Sequence, residues 1–258
     1  MPEFDPGPPQ PFADIFDNVP DYGTFKADFW YDWGPVFYRG RLDGSARVFC
    51  IASDPGPTER VANRTLVGDA GQRVQGFLTK LGLTRSYVCM NAFAYALFPS
   101  KNSAANAVLQ APPQLAWRNA LYDAVKAGAN LQAIIAFGGN AQKAADLWPG
   151  KGAIPVFKVP HPSSHDPVAL VTAWRAAIPQ LRAVVTPDPD GSVTGPHYGT
   201  AIQEADYSRI PRRDLPFGVP AWLGDDAWGR GAHPRHADAV GRPKPDDRHT
   251  LIWIAPAS

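Results

Sequence analysis

Residues 156–181 read VFKVPHPSSHDPVALVTAWRAAIPQL, a short apolar run that passes through a histidine loop directly into a helix. Asp166 stands as an N-cap with Pro167 in the first turn, and Leu170, Trp174, Ala177, Ile178 and Leu181 follow on one helical face. Working outward, three more short apolar runs, 46–52, 87–93 and 131–137, have the texture of parallel strands buried on both faces. Helical patterns separate them. With Asp69 as N-cap, Val74, Phe77, Leu78 and Leu81 recur at helical spacing until Gly82. Trp117, Leu121, Ala124 and Val125 repeat the pattern after Pro112 and Pro113, ending at Gly128. Strands alternating with helices predict an α/β fold, a three-layer α/β/α arrangement around a central four-stranded parallel sheet. Its ligand site is expected at the carboxyl ends of the strands.

Three regions follow from composition. Residues 1–40 form an acidic, aromatic-rich leader expected to pack on the core as a cover, residues 41–186 the α/β domain, and residues 187–258 an irregular Pro/Gly-rich extension. In that extension Trp222, Trp228 and the run 250–254 are candidate anchors. The leader holds seven acidic side chains against Lys26 and Arg39, a net of −5, which leaves +6 over residues 41–258 for an overall +1. The balance neither demands nor excludes a nucleic-acid partner, and it predicts that the acidic leader sits away from any nucleic-acid face. Arg212, Arg213, Arg230, Arg235 and Lys244 are candidate phosphate contacts, or ordinary solvated surface. Cys50 and Cys89 lie in apolar runs, as buried free thiols do. The N-terminus, MPEFDPGPPQ, lacks a signal peptide's basic start and apolar stretch, and no run reaches membrane-spanning length. A cytoplasmic protein, without a membrane partner and monomeric, is expected.

Chemistry concentrates where the runs end. The first leads into Asp54-Pro55-Gly56, which aims a carboxylate over the sheet edge and is also common turn chemistry. The second ends with Asn91 among apolar neighbours, where an amide either caps a buried backbone group or awaits a ligand. The third ends in Gly138, Gly139 and Asn140, a tight turn into a helix. The fourth delivers His161 between Pro160 and Pro162, with Ser163 and Ser164 where helix-terminal amides hold an anion. A zinc site at His161, His165 and Asp166 is disfavoured by spacing unlike a helical zinc motif and by the better role of Asp166 as N-cap.

Together these segments resemble the uracil-DNA glycosylase superfamily over about residues 46–182. Asp54-Pro55-Gly56 is similar to its first active-site motif, and Val67-Gly68-Asp69-Ala70-Gly71, Leu81 to Ser86 and Asn91 are similar to the order in branches whose first motif ends Pro-Gly. His161-Pro162-Ser163 matches the second motif. The resemblance implies a monofunctional glycosylase acting on uracil-containing DNA, single- or double-stranded, with the target base flipped out of the stack. It implies that Asp54 stabilises the cationic sugar and directs water, that His161 donates to uracil O2, and that Asn91 pairs with the polar edge of the base. Gly56 stands where one branch has a tyrosine that blocks the thymine methyl. Leu66 stands where related branches have a stacking phenylalanine, which makes Phe93 the alternative stacking residue. Ser163 and Ser164 are implied phosphate grips, and His165 occupies the place of a leucine wedge. The iron–sulfur branch needs four cysteines and this chain has two, so no cofactor is implied.

Three other functions fit parts of the pattern. The same fold could release hypoxanthine, xanthine or an oxidised pyrimidine, or serve as a non-catalytic nucleic-acid-binding module, although retention of Asp54 opposite His161 favours chemistry. An unrelated doubly wound hydrolase using Ser163 or Ser164 with His165 would lack a Gly-x-Ser-x-Gly elbow.

Overall fold

The four apolar runs are strands in the computed structural model, which describes residues 3–195 and 197–219 and, by backbone alone, a short antiparallel pair, Val240–Gly241 with Ile252–Trp253. Trp222, Trp228, Arg230, Arg235, Lys244, Thr250, Leu251 and Ile254 lie outside the described residues. The main sheet holds β1 (Tyr38–Gly40), β2 (Val48–Ala52), β3 (Tyr87–Asn91), β4 (Ala133–Phe137) and β5 (Val156–Val159) in the order β1-β3-β2-β4-β5. All neighbours are parallel except β1, which runs antiparallel to β3.

Every residue of β2, β3 and β4 is buried, because alternate side chains enter two separate cores. Phe49, Ile51, Val88, Met90, Ile134 and Ala136 face one core, with α4 (Asn102–Gln110), α5 (Pro112–Gly128) and α6 (Gly139–Asp146). Val48, Cys50, Tyr87, Cys89, Ile135 and Phe137 face the other, against Phe77 and Leu78 of α3 (Asp69–Lys80) and Trp174 and Ile178 of α7 (Pro167–Val184). The result is the predicted α/β/α layering.

Four expectations change in detail. The sheet has five strands, not four, since β1 is too short, and too charged at Arg39, to show as an apolar run. Helix α3 begins at Asp69 with Gly68 as its N-cap, because the Gln72 amide already closes a turn on the Gly68 carbonyl at 2.9 Å. Strand β3 stops at Asn91, where the chain bends while the Ala92 and Phe93 amides stay bonded to the Ala52 and Ser53 carbonyls. Strands β2 and β4 begin two residues inside their apolar runs. At α7 the expected cap is present, with the Asp166 carboxylate accepting from the Ala169 amide at 2.9 Å.

The leader contributes Phe12 and Phe16 of α1 (Phe12–Asp17) to the first core, Phe16 stacking on Phe37 at 4.3 Å. Between α7 and residue 219 the described chain has little regular structure, yet three buried carboxylates rivet it down. Asp188 accepts the Thr84, Arg85 and Ser86 amides at 2.8–3.1 Å. Asp206 pairs with Lys80 at 2.8 Å. Asp214 pairs with Arg39 at 3.1 Å and with Arg41, and accepts the Tyr87 hydroxyl at 2.7 Å. Removing one partner of a fully buried pair strands the other charge, at a cost of about 3–5 kcal/mol. Asp214→Asn should therefore lower the urea midpoint of unfolding by that equivalent, far more than Glu3→Gln, which removes only the exposed pair with Arg212; equal midpoints would contradict the buried-pair account.

Candidate active site

Parallel register brings the four strand ends to one edge. Ala52 lies beside Asn91, Ile51 beside Ala136, and Phe137 beside Val159. Asn91, Asp54, Asn140 and His161 therefore emerge in that order along the carboxyl edge, each from a different strand end.

Asp54 is two residues past β2, and its carboxylate accepts the Leu97 amide at 3.0 Å. Burial pushes its carboxyl above the usual carboxylate range and the nearby Glu59 adds to this, while the Ser53 hydroxyl and the Leu97 amide oppose the shift. Ser53 is in turn held by the Asn140 amide at 2.9 Å, so a residue of the β4 turn orients the β2 turn. A carboxylate of raised basicity, fixed by two donors, is suited to directing a water molecule.

Asn91 closes β3 and is 8% exposed. Its backbone carbonyl accepts the Tyr122 hydroxyl at 3.2 Å, whereas its side-chain Nδ2 is buried without a hydrogen-bond partner among the described residues. The capping alternative from sequence is thus not what this amide group does. An orphaned buried N–H₂ costs about 1–3 kcal/mol and marks a place where a ligand acceptor would be welcome.

His161 follows β5, and its loop is tied down from several sides. The Trp174 indole donates to the Pro160 carbonyl at 3.1 Å, Arg73 donates to the Pro162 carbonyl at 2.7 Å, and Gln142 donates to the Val159 carbonyl at 3.0 Å. Gly138, at φ +86°, gives the ring room, since a Cβ there would lie 2.8 Å from the Cβ of His161. The Ser163 amide donates to His161 Nδ1 at 3.1 Å. A neutral ring that accepts at Nδ1 carries its proton on Nε2, which makes Nε2 a donor. Burial, and then the Arg73 guanidinium, hold the imidazole pKa down from 6.5 to about 4.

The remaining sequence candidates divide. Gly56 is the extended N-cap of α2 (Pro57–Ala62), and a Cβ there would lie 2.6 Å from the Glu59 carboxylate, which fills the space a side chain would need. Leu66 is 5% exposed and left-handed at φ +56°, a conformation that costs a non-glycine residue about 1–3 kcal/mol. Its loop is clamped by Glu59, which accepts the Val67 and Gly68 amides at 3.0 and 2.9 Å. It also lies so close to α3 that a Cβ on Gly71 would be 1.8 Å from the Leu66 carbonyl oxygen. Phe93 is 1% exposed and packs on Phe29 at 5.6 Å in the first core. Ser163, Ser164 and His165 line an open groove with Gly138, Gln142 and Lys158, and the Ser164 hydroxyl accepts the Asp166 amide at 3.2 Å.

Several contributors were not visible beforehand. Glu59 reads in sequence as an ordinary first-turn helix acid and Arg73 as a solvated face of α3, paired with Asp69 at 3.2 Å. The leader is also closer to the edge than its acidity suggested: the Trp30 amide bonds the Ala96 carbonyl at 2.8 Å, one residue from the Leu97 amide that holds Asp54. Residues 29–33 of the leader therefore lie beside the Asp54 end of this edge. Of its seven acidic side chains, Asp21 is paired with Lys26, Asp28 with Lys101 and Asp5 with Arg64, at 2.7, 3.3 and 2.7 Å.

The family model of the uracil DNA glycosylase superfamily matches residues 39–167, half of the chain, from β1 to the first residue of α7. That span contains Asp54, Asn91 and His161. No curated protein matches the chain.

The His161 environment has a measurable consequence. Because the folded chain binds this proton more weakly than the unfolded one, the group contributes a loss of stability as pH falls from 6.5 to about 4 and nothing above that window. The His161 ring resonances should hold their neutral positions at pH 5.5 and titrate near pH 4, and Arg73→Gln should move the midpoint part of the way back up. A midpoint near 6.5 in the unsubstituted protein would contradict the neutral ring.

Proposed function

The chain belongs to the uracil DNA glycosylase superfamily, and on that premise we propose that it hydrolyses the N-glycosidic bond of uracil in DNA and leaves an abasic site. Membership itself gives a DNA glycosylase-type hydrolase of DNA repair, with DNA as its partner. The choice of uracil rests on this chain's own residues, above all on the buried, unpartnered amide of Asn91.

A base inside a duplex cannot be reached by side chains at a sheet edge, so the target nucleotide must leave the stack. Uracil presents a carbonyl oxygen beside an N–H. The Asn91 Nδ2 donates to the first and its Oδ1 accepts from the second, so both halves of the amide are satisfied on binding. Cytosine presents the reverse order and leaves donors facing donors. Leu66, with its apolar side chain, lends the base apolar contact, Phe93 supports the edge from within the first core, and Gly56 keeps Glu59 where it clamps the Leu66 loop.

As the bond between C1′ and the base nitrogen breaks, its electron pair leaves with uracil and positive charge develops on the sugar. Asp54 faces that charge and orients the water whose oxygen attacks C1′, taking up the proton the water loses. The Nε2–H of a neutral His161 donates to uracil O2, where negative charge builds. A neutral donor suits this step, since the bond strengthens as the anion forms. Ser163 and His165 grip a flanking phosphate, with the Ser164 hydroxyl fixing the loop through the Asp166 amide.

The test is release of free uracil from a single-uracil oligonucleotide, single- and double-stranded, with a hypoxanthine oligonucleotide alongside. His161→Ala should slow single-turnover release by about 10²–10³-fold and Asp54→Asn by about 10²–10⁴-fold, while Asn91→Ala should erode the preference for uracil. Release of hypoxanthine with none of uracil would replace the substrate, and release of neither would sink the proposal.

A further inference from the structure

The leader carries an unusual side-chain group at the carboxyl edge of the sheet. Trp30 and Trp33 are 41% and 57% exposed, while the bulkiest aromatic side chains of both cores are fully buried. The Arg60 guanidinium lies over both indoles, 5.2 Å from the Trp30 ring and 4.7 Å from the Trp33 ring. Among the described residues its Nε and Nη1 are buried with no hydrogen-bond partner, and its charge is attracted by the nearby Glu59 and Asp54 carboxylates. A cation so placed retains donors that an anionic oxygen would satisfy.

The group borders a cleft of about 460 Å³ walled by Phe29, Trp30, Tyr31, Trp33 and Phe98, with the charged Asp32 and Lys26, the latter paired with Asp21 at 2.7 Å. Trp30 packs on Phe98 at 4.4 Å, and its amide is bonded to Ala96 in the segment whose Leu97 amide holds Asp54. The cleft therefore flanks the Asp54 end of the site, on a different segment from the His161 groove.

We propose that Trp30, Trp33 and Arg60 form a stacking site for an unpaired nucleobase of single-stranded DNA, flanking the nucleotide held at Asp54. Flat π faces accept any base without reading its edge, and a cation beside them meets the backbone phosphate. In an intact duplex both faces of each base are covered by its neighbours, so an indole cannot lie on them. In a single strand the faces are open, and the base next to a flipped nucleotide has already lost one neighbour. The inference rests on DNA as the partner and is independent of which base is excised.

The experiment uses the full chain and a fluorescein-labelled oligodeoxycytidylate, which contains no uracil, with a blunt duplex of the same length as the comparison. Single-stranded DNA should bind more tightly than duplex by fluorescence anisotropy and should quench intrinsic tryptophan emission. Trp33→Ala should weaken single-strand binding by about tenfold, Trp33→Phe should restore most of it, and Arg60→Gln should both weaken binding and flatten its salt dependence. Trp33 is largely exposed, so its replacement does not threaten folding. The proposal is overturned if Trp33→Ala, Trp30→Ala and Arg60→Gln all bind the single strand within twofold of the unsubstituted protein, or if they weaken duplex binding equally. Because the probe holds no uracil, a protein that releases no uracil but loses single-strand affinity on Trp33→Ala would leave this site standing and remove only the substrate assignment.

Discussion

A single buried guanidinium holds together the parts of this protein that shape its site. Arg39 has no exposed surface, and its donors reach Asp214 at 3.1 Å, Gln75 at 2.7 Å and the Thr65 carbonyl at 3.1 Å. One side chain thus ties the edge strand β1 to helix α3, to the loop that carries Leu66, and to a segment of chain 175 residues away. A charge in that position is tolerable only if it is fully paired, which forces the tail to bring Asp214 back across the sheet. With the tail come Ile210 and Leu215, which join Ala62 and Val67 in a small third core beneath the same loop. The left-handed Leu66 is therefore held from below by packing, from α2 by the Glu59 carboxylate and from β1 by Arg39, and such over-determination keeps a strained residue in place.

Site geometry follows from that rigidity. The four residues along the carboxyl edge come from four strand ends, and their relative positions depend on sheet register more than on any loop. The short hydrogen bonds between turns then refine them: Asn140 orients Ser53, Ser53 orients Asp54, and Arg73, Gln142 and Trp174 fix the backbone around His161. The electrostatics divide in a useful way. Burial raises the carboxyl of Asp54 and lowers the imidazole of His161, so one group gains basicity while the other stays neutral with its proton on Nε2. The unsatisfied Asn91 amide sits beside β2 in the same edge, where a polar ligand would complete it.

The aromatic leader changes how this edge should be viewed. Its acidic side chains suggested a cover kept away from nucleic acid, yet Asp5, Asp21 and Asp28 are held in local ion pairs and the indoles of Trp30 and Trp33 lie exposed beside Arg60. Net charge over a segment describes long-range attraction, whereas contact depends on which side chains remain unpaired at the surface.

Much was legible in the chain itself. Four apolar runs, helical periodicity and the Asp166-Pro167 cap specify alternating strands and helices because burial on two faces and capping are local demands. The same pattern places Asp54, Asn91 and His161 at strand ends without any knowledge of their neighbours. Other features exist only through distant partners. Strand β1 is polar until Arg39 meets Asp214; Glu59 and Arg73 look like helix surface until the Leu66 loop and the Pro162 carbonyl arrive; Trp30 and Trp33 look like a cover until Arg60 lies over them. Sequence determined which residues could form a sheet with chemistry at its carboxyl edge, because periodicity and capping act within a few residues. Tertiary structure alone decided which charges are paired, which amide is left waiting and which aromatic faces remain open, because those depend on contacts between segments that the chain order keeps apart.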